Sequence, residues 1–255
     1  MNDTRVLKQT TLMVTVNFHG IEVDRQHAGE HALYGKFGYG RYTANIGYRR
    51  LLELFERRGI RATWFVPAVE AREHRECIKA IASAGHEIAA NGFSIEDHER
   101  LGAHERARLE EAHDALSEIV GAAPRGWRSP TGTLSADTLP LLAELGYRYD
   151  SSFQDDFHPY SLADYGASSM VELPQNEMLI DATLWNVRAT HDRVLKTWLE
   201  EFEAAREENC LIHLTLHPRA DSGSGRASRI DVVERFLLHV LDVGVPHATA
   251  LEIAG

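Results

Sequence analysis

The sequence predicts a single α/β domain, a distorted parallel (β/α) barrel of about seven strands. Three observations carry that expectation. Short apolar, β-branched runs alternate with amphipathic segments along the 255 residues, the order of parallel strands joined by helices. The runs end in polar residues, as barrel strands do where they carry chemistry at their C-terminal ends. No Gly-rich phosphate fingerprint follows any run, which counts against an open dinucleotide-binding sheet.

Residues 1–11 read as a polar lead-in, and residues 12–255 as the domain. Leu12, Met13, Val14 and Val16 form the first strand, which breaks at His19-Gly20 into Glu22 and Asp24. Residues 27–42, rich in Gly and aromatics, read as a loop over the mouth. Ile46 to Phe55 has helical spacing and stops at Gly59. Arg61–Pro67 is the second strand, Cys77–Ala82 lies in a helix, and His86–Ala90 is the third strand. A helix follows through Leu109, Ala112, Leu116, Ile119 and Val120. Pro124–Pro130 reads as a strand, and Ser135 as the N-cap of a helix through Leu145. Tyr147–Asp150 is a strand opening an irregular stretch, 151–166. Val171–Pro174 and Met178–Ile180 read as short strands, and Val194–Glu207 as a helix. Cys210–Leu216 is the last strong strand, 219–229 a polar loop, and Ile230–Leu241 the last long helix. A brief strand near Ala248 leads to Thr249, which has Glu252 at the capping-box spacing.

Composition narrows the partners. With 44% hydrophobic and 25% charged residues the chain has the make-up of a soluble globular protein. A net charge of -11 argues against nucleic acid or an anionic membrane as partner. Cys77 and Cys210 read as small core residues, so no disulfide framework is implied. Neither a signal peptide nor a membrane-spanning run is evident, which predicts a cytoplasmic location.

Five strands end in potentially chemical residues: His19, Asn91, Arg128, Asp150 and His217. In a parallel barrel these ends converge on one face. Each has a bland reading too. The chain carries 14 histidines, so a single one is weak support. Arg128 would serve equally to pair a helix carboxylate, Asp150 to cap a turn, and Asn91-Gly92 to make an ordinary turn. The signal is their coincidence.

The stretches GIRATWFVPA, AGHEIAANGFS, GWRSPTGTLSADTLPLLAELGYRYDSS and LTLHP followed by SGRASRI make the chain resemble the polysaccharide deacetylase family (carbohydrate esterase family 4) over nearly its whole length. The Asp155-Asp156…Pro159-Tyr160 run resembles the branch with allantoinase-like and cyclic-imide-hydrolase-like members. The resemblance implies a distorted (β/α) barrel and hydrolysis of a carbon–nitrogen bond. It also implies a metal held by Asp, His and His, and here the sequence departs. His19 stands where the base aspartate is expected, and Gly20 or Ile21 where the ligand aspartate is expected. Asn91 and Ile95 stand at the two histidine positions. Isoleucine cannot ligate, and Asn is a poor ligand for metals that favour imidazole. What remains matches the other half of the family site: Arg128 and Pro130 match the motif that holds the base, and His217 matches the histidine that protonates the leaving amine.

The expectation is therefore a hydrolase of a small amide, cyclic imide, ureide or N-acyl group, acting without the usual metal and with no cofactor. The expected catalytic residues are His19, Arg128, Asp150 and His217. His19 activates water or orients the carbonyl, and Arg128 and Asn91 stabilise its oxygen. His217 protonates the nitrogen, oriented by Asp150 or Asp156. Asn91, Glu22, Asp156, Tyr160 and Pro130 are expected to contact substrate. A rearranged site from His19, His98, Glu22 or His217 would instead hold a divalent metal such as zinc and favour a standard deacetylase. An inactive barrel that binds a ligand or partner is the alternative from another class. The expected partners are a small-molecule substrate and further copies of the chain in a homo-oligomer.

Overall fold

The computed structural model describes Leu7, residues 9–35 and residues 38–255. Most of the polar lead-in and a small part of the 27–42 stretch lie outside the described residues. Among the described residues eight strands form one sheet: β1 (Thr11–Asn17), β2 (Thr63–Val66), β3 (Glu87–Ala90), β4 (Gly126–Trp127), β5 (Tyr149–Asp150), β6 (Tyr160–Ser161), β7 (Val171–Glu172) and β8 (Leu211–Leu216). Their order is β6-β7-β5-β4-β3-β2-β1-β8. All pairings are parallel except β6 with β7. Seven parallel strands therefore make the curled, barrel-like sheet expected from the sequence, with β6 as an antiparallel edge.

The helices are α1 (Ile21–Ala28), α2 (Tyr48–Arg58), α3 (Ala68–Glu73), α4 (Arg75–Ser83), α5 (Glu105–Val120), α6 (Thr138–Glu144), α7 (Asp181–Asn186), α8 (His191–Glu207), α9 (Ile230–Asp242) and α10 (Ala250–Ala254). Side chains alternate across a strand, and the strands use both faces. Leu12, Val14, Val16, Trp64, Ile88 and Trp127 pack outward with the helices in the main core. Trp64 is fully buried there, so Trp64→Ala is expected to cost about 3–5 kcal/mol. Met13, Phe65, Ala89, Tyr149, Leu173 and Leu211 form a separate inner cluster, joined by Ala250 and Ile253 of α10. Thr249 and Glu252 make the expected capping box that starts α10.

Along β1 and β8 the inward positions change character toward the C-terminal ends. Above Met13 come Thr15 and Asn17, and above Leu211 come His213, Thr215 and His217. The β1–β8 register pairs Met13 with His213 and Thr15 with Thr215. The lower barrel is thus apolar and plugged, and the upper barrel is a buried polar layer. Gly47 ends a π-helical turn, Thr43–Gly47, against the Pro218 backbone with no room for a side chain. That contact holds the turn beside the end of β8.

Some elements differ from the sequence reading. The fourth strand shrinks to Gly126–Trp127. The helix placed after Ser135 starts at Thr138 with Asp137 at its N-cap; the Ser135 hydroxyl accepts the Asp137 N–H and donates to Glu105. Met178–Ile180 is a 3-10 turn over Glu177–Leu179 rather than a strand. The brief strand near Ala248 reduces to a bridge between Leu12 and His247. Helices α1, α3 and α7, of six to eight residues, are too short for their periodicity to stand out.

Candidate active site

Arg128 follows β4 and is 2% exposed. All five of its N–H groups are used. Nε donates to the Ser151 carbonyl and Nη2 to the Ser151 hydroxyl, both at 2.9 Å. The second Nη2 hydrogen meets His213 Nε2 at 2.9 Å. Nη1 donates to Asn17 Oδ1 at 2.9 Å and to Thr15 Oγ1 at 3.3 Å. The guanidinium carbon lies 3.9 Å from the Phe65 ring centre. None of these partners is a carboxylate, so burial pushes the guanidinium down to about 9, opposed by Tyr149, Asp150 and Glu172. A buried cation is expensive unless hydrogen-bonded, and here neutral groups supply every bond.

These bonds fix the protons around them. Asn17 Oδ1 accepts from Arg128, so Asn17 Nδ2 is the atom 3.1 Å from His217 Nε2. An amide nitrogen only donates, so His217 Nε2 carries a lone pair. His217 Nδ1 lies 2.7 Å from Asp181 Oδ1 and carries the proton. Asp181 opens α7 and is fully buried. Its Oδ2 accepts the backbone N–H groups of His217 at 2.9 Å and Ser224 at 2.8 Å, so the carboxylate is held by three donors.

His213, four residues before His217 on β8, has Nδ1 2.8 Å from the Pro174 carbonyl, which fixes the proton there. Its Nε2 accepts from Arg128 and lies 3.1 Å from the Thr15 hydroxyl. Burial first, and then the Arg128 charge, push its imidazole far below the usual range.

On the opposite side, Asn91 Nδ2 donates to the Arg128 carbonyl at 2.9 Å. Its Oδ1 therefore faces His19 Nε2, 2.9 Å away, and that nitrogen carries the proton. Burial, then the charges of His217, Arg219 and Arg128, push His19 down to about 3, with the Asn91 bond opposing. The His19 and His217 ring centres are 5.3 Å apart. The turn carrying His19 is pinned at its carbonyls: Thr43 Oγ1 donates to His19 at 2.8 Å and Arg219 Nη1 to Gly20 at 3.1 Å. Arg219 also pairs with Asp24 and Asp221.

The structure thus brings together His19, Asn91, Arg128 and His217. It does not bring the other expected residues into that cluster. Asp150 points to the opposite side of the sheet from its neighbours Tyr149 and Ser151, where it faces Glu172 across the β5–β7 register. Its Oδ1 accepts from Ser152 at 2.7 Å, and burial raises both Asp150 and Glu172, Glu172 the further. Asp156 caps its own turn through the N–H groups of Phe157 and His158. Tyr160 donates to Asp155. Glu22 is taken up by Arg25 and Gln26 on α1. Pro130 does lie beside the Asn91-Gly92 turn. Two corrections follow. Asp181, not Asp150 or Asp156, holds His217. Arg128 meets Asn17 rather than His19, so the position held by the arginine is an amide. Arg128 also has no donor left over for a substrate oxygen, since all five of its N–H groups are committed within the cluster.

Sequence reasoning missed Asn17, Asp181 and His213. Asn17 ends an otherwise apolar run, and Asp181 follows an irregular stretch. The HLTLH spacing was a usable signal, because strand residues four apart share a face.

A polysaccharide deacetylase family profile matches residues 27–149. A solved structure from Mycobacterium smegmatis that carries the polysaccharide deacetylase name has 31% identity and a TM-score of 0.88, covering 97% of this chain and 89% of its own. The chain belongs to the polysaccharide deacetylase family. It is therefore a carbon–nitrogen hydrolase of the deacetylase and amidohydrolase type. The chain is also 27% identical to a peptidoglycan deacetylase of Helicobacter pylori, over 92% of this chain and 94% of that protein. The PuuE allantoinase shares its fold, with a TM-score of 0.83 at 23% identity, over 96% of this chain and 89% of its own.

The family is normally metal-dependent, and the donors at the mouth do not fit an Asp-His-His site. Asn91 spends its oxygen on His19 and its nitrogen on the Arg128 carbonyl. Ile95 has no donor atom. Asn17 spends both amide atoms on Arg128 and His217. A rearranged site with His98 does not assemble either, because His98 Nδ1 is bonded to Glu105 at 3.0 Å, and its ring packs on outward-facing Trp127. Among the described residues no helix is long and apolar enough to cross a membrane.

Proposed function

We propose that this family member hydrolyses a small non-peptide amide, cyclic imide, ureide or N-acyl group without a metal in the family's usual position, using the Asp181–His217 pair for proton transfer. One observation carries the reading: the hydrogen bonds running from Arg128 through Asn17 to His217 leave Nε2 unprotonated, with a buried carboxylate behind Nδ1. That is the resting state of a general base.

The atoms balance in two steps. The Asn17 hydrogen bond to His217 Nε2 gives way to one from water; Nε2 then takes that water's proton as the water oxygen bonds to the carbonyl carbon, and Asp181 stabilises the imidazolium. A proton on Nε2 also removes the acceptor that Asn17 Nδ2 was using. That amide hydrogen is then available to the oxyanion, beside the uncompensated Arg128 charge. In the second step the Nε2 proton passes to the departing nitrogen as the C–N bond breaks. His19 stays neutral, and with its Nε2–H given to Asn91 its Nδ1 lone pair accepts a hydrogen bond from water or from a substrate N–H.

The test is a turnover screen of cyclic imides, ureides, small amides and N-acetylated sugars, with and without chelator. Chelator-insensitive turnover of an imide, ureide or amide that His217→Asn abolishes is the expected result. Turnover of N-acetylated sugars that requires added metal would contradict it, and so would ligand binding with no turnover at all.

A further inference from the structure

The flank of the β1–α1 turn holds three ligand-type side chains outside the mouth. Glu70, Glu73 and His74 stand at positions i, i+3 and i+4 along α3 and its end, and one ligand atom from each lies within 4.8 Å of the others. Glu70 Oε2 and His74 Nε2 are 3.5 Å apart. Two donors of a tetrahedral zinc ion, each ~2.0–2.2 Å from it, are separated by about 3.3–3.5 Å.

Glu70 is what turns this grouping into a site. It is 1% exposed. Its Oε1 accepts the Glu22 N–H at 2.7 Å, while Oε2 has no hydrogen-bond partner and faces His74. An orphaned carboxylate oxygen at that depth normally has a counter-charge. Among the described residues Glu70 has no ion pair with a lysine or arginine; nearby Arg25 is already bonded to Glu22 and Glu30 and stands 3.8 Å from Glu73. Arg25 is thus shared by three carboxylates, and Glu70 is left without it. Glu73 and His74 also line a cleft of about 340 Å³, with Ile21, Arg25, Leu33 and Asn45 among its walls, which leaves room for water ligands. Burial disfavours the charged form of His74, so its ring is available as a neutral ligand.

We infer that Glu70, Glu73 and His74 bind one divalent transition-metal ion, outside the mouth. The mixed imidazole and carboxylate donors suit a borderline ion such as zinc. Glu70 lies directly beneath Gly20, with no room for a side chain between them, and Gly20 follows His19. The ion would thus tie α3 to the turn that carries His19, and it would be a structural metal rather than a reacting one.

The experiment is thermal unfolding of chelator-stripped full-length protein against added zinc, with bound zinc counted by elemental analysis after desalting. The wild type is expected to gain roughly 5–10 °C in Tm at zinc about 100-fold above its Kd, and to retain one zinc per chain. Glu73→Gln and His74→Gln change partly exposed residues and should fold. Both are expected to lose the gain and the zinc, while a His19→Asn/His217→Asn double variant keeps them. No zinc-dependent gain in the wild type would overturn the inference. So would a gain that survives His74→Gln and disappears in the mouth double variant.

Discussion

Two inward-facing histidines, His213 on β8 and His217 just past its end, two strand repeats apart, have opposite surroundings. His213 has a neutral carbonyl behind Nδ1 and a cation in front of Nε2. His217 has a carboxylate behind Nδ1 and a neutral amide in front of Nε2. Both rest with the proton on Nδ1. Protonating His213 would set a second positive charge against Arg128 in a buried layer, and its basicity is accordingly suppressed. Protonating His217 forms an ion pair with Asp181 and breaks only one neutral hydrogen bond. The difference separates a structural ring that orients Arg128 from a ring able to move protons. The position of a histidine on a strand does not distinguish the two; the second atom behind each nitrogen does.

The largest expected effect follows from removing the mobile proton. His217→Asn should lower kcat by about 10³-fold or more, read on whichever substrate the screen finds. Asp181→Asn should come next, at roughly 10²–10³-fold. The new amide no longer demands a proton on Nδ1, and the imidazolium loses its counter-charge. His213→Gln should behave differently. It leaves kcat within about tenfold and costs about 1–3 kcal/mol of stability in denaturant unfolding, because Arg128 and the Pro174 carbonyl lose part of their bonding. A kcat loss in His213→Gln as large as that in His217→Asn would erase the distinction between the rings.

The smallest effect concerns pH. His86 accepts the Ala62 N–H on Nδ1 and is pushed down to about 4 by burial. Its folded value lies below the unfolded value of about 6.5, so the unfolded chain binds the extra proton between pH 4 and 6.5. Stability from this group is present above that window and falls as pH drops through it, by on the order of 2–3 kcal/mol. His86→Gln should flatten that part of the stability-pH curve by up to about 1.4 kcal/mol per pH unit. It should leave the pH dependence of turnover unchanged. A matching change in the turnover profile would mean that His86 communicates with the mouth.

The barrel was legible because strands with long apolar runs, such as Leu12–Val16 and Cys210–Leu216, announce themselves. Four mouth residues were legible because a strand end is a place the sequence marks. Asp181 was not, since its role depends on a parallel bridge between Ile180 and Thr215 that no local pattern encodes. Asp150 misled for the converse reason. It sits at a strand end like the others, but one residue of register turns it to the outer face. Asn17 was hidden by the expectation that the arginine-held position would coincide with the next polar residue, His19.

The most direct measurement is the ¹⁵N chemical shift of the His217 ring nitrogens across pH, in the wild type and in Asp181→Asn. A protonated Nδ1 and an unprotonated Nε2 are expected in the neutral wild-type ring, with that preference lost in the variant. A neutral ring carrying its proton on Nε2, or one unaffected by Asp181→Asn, would contradict the assignment of His217 as the base.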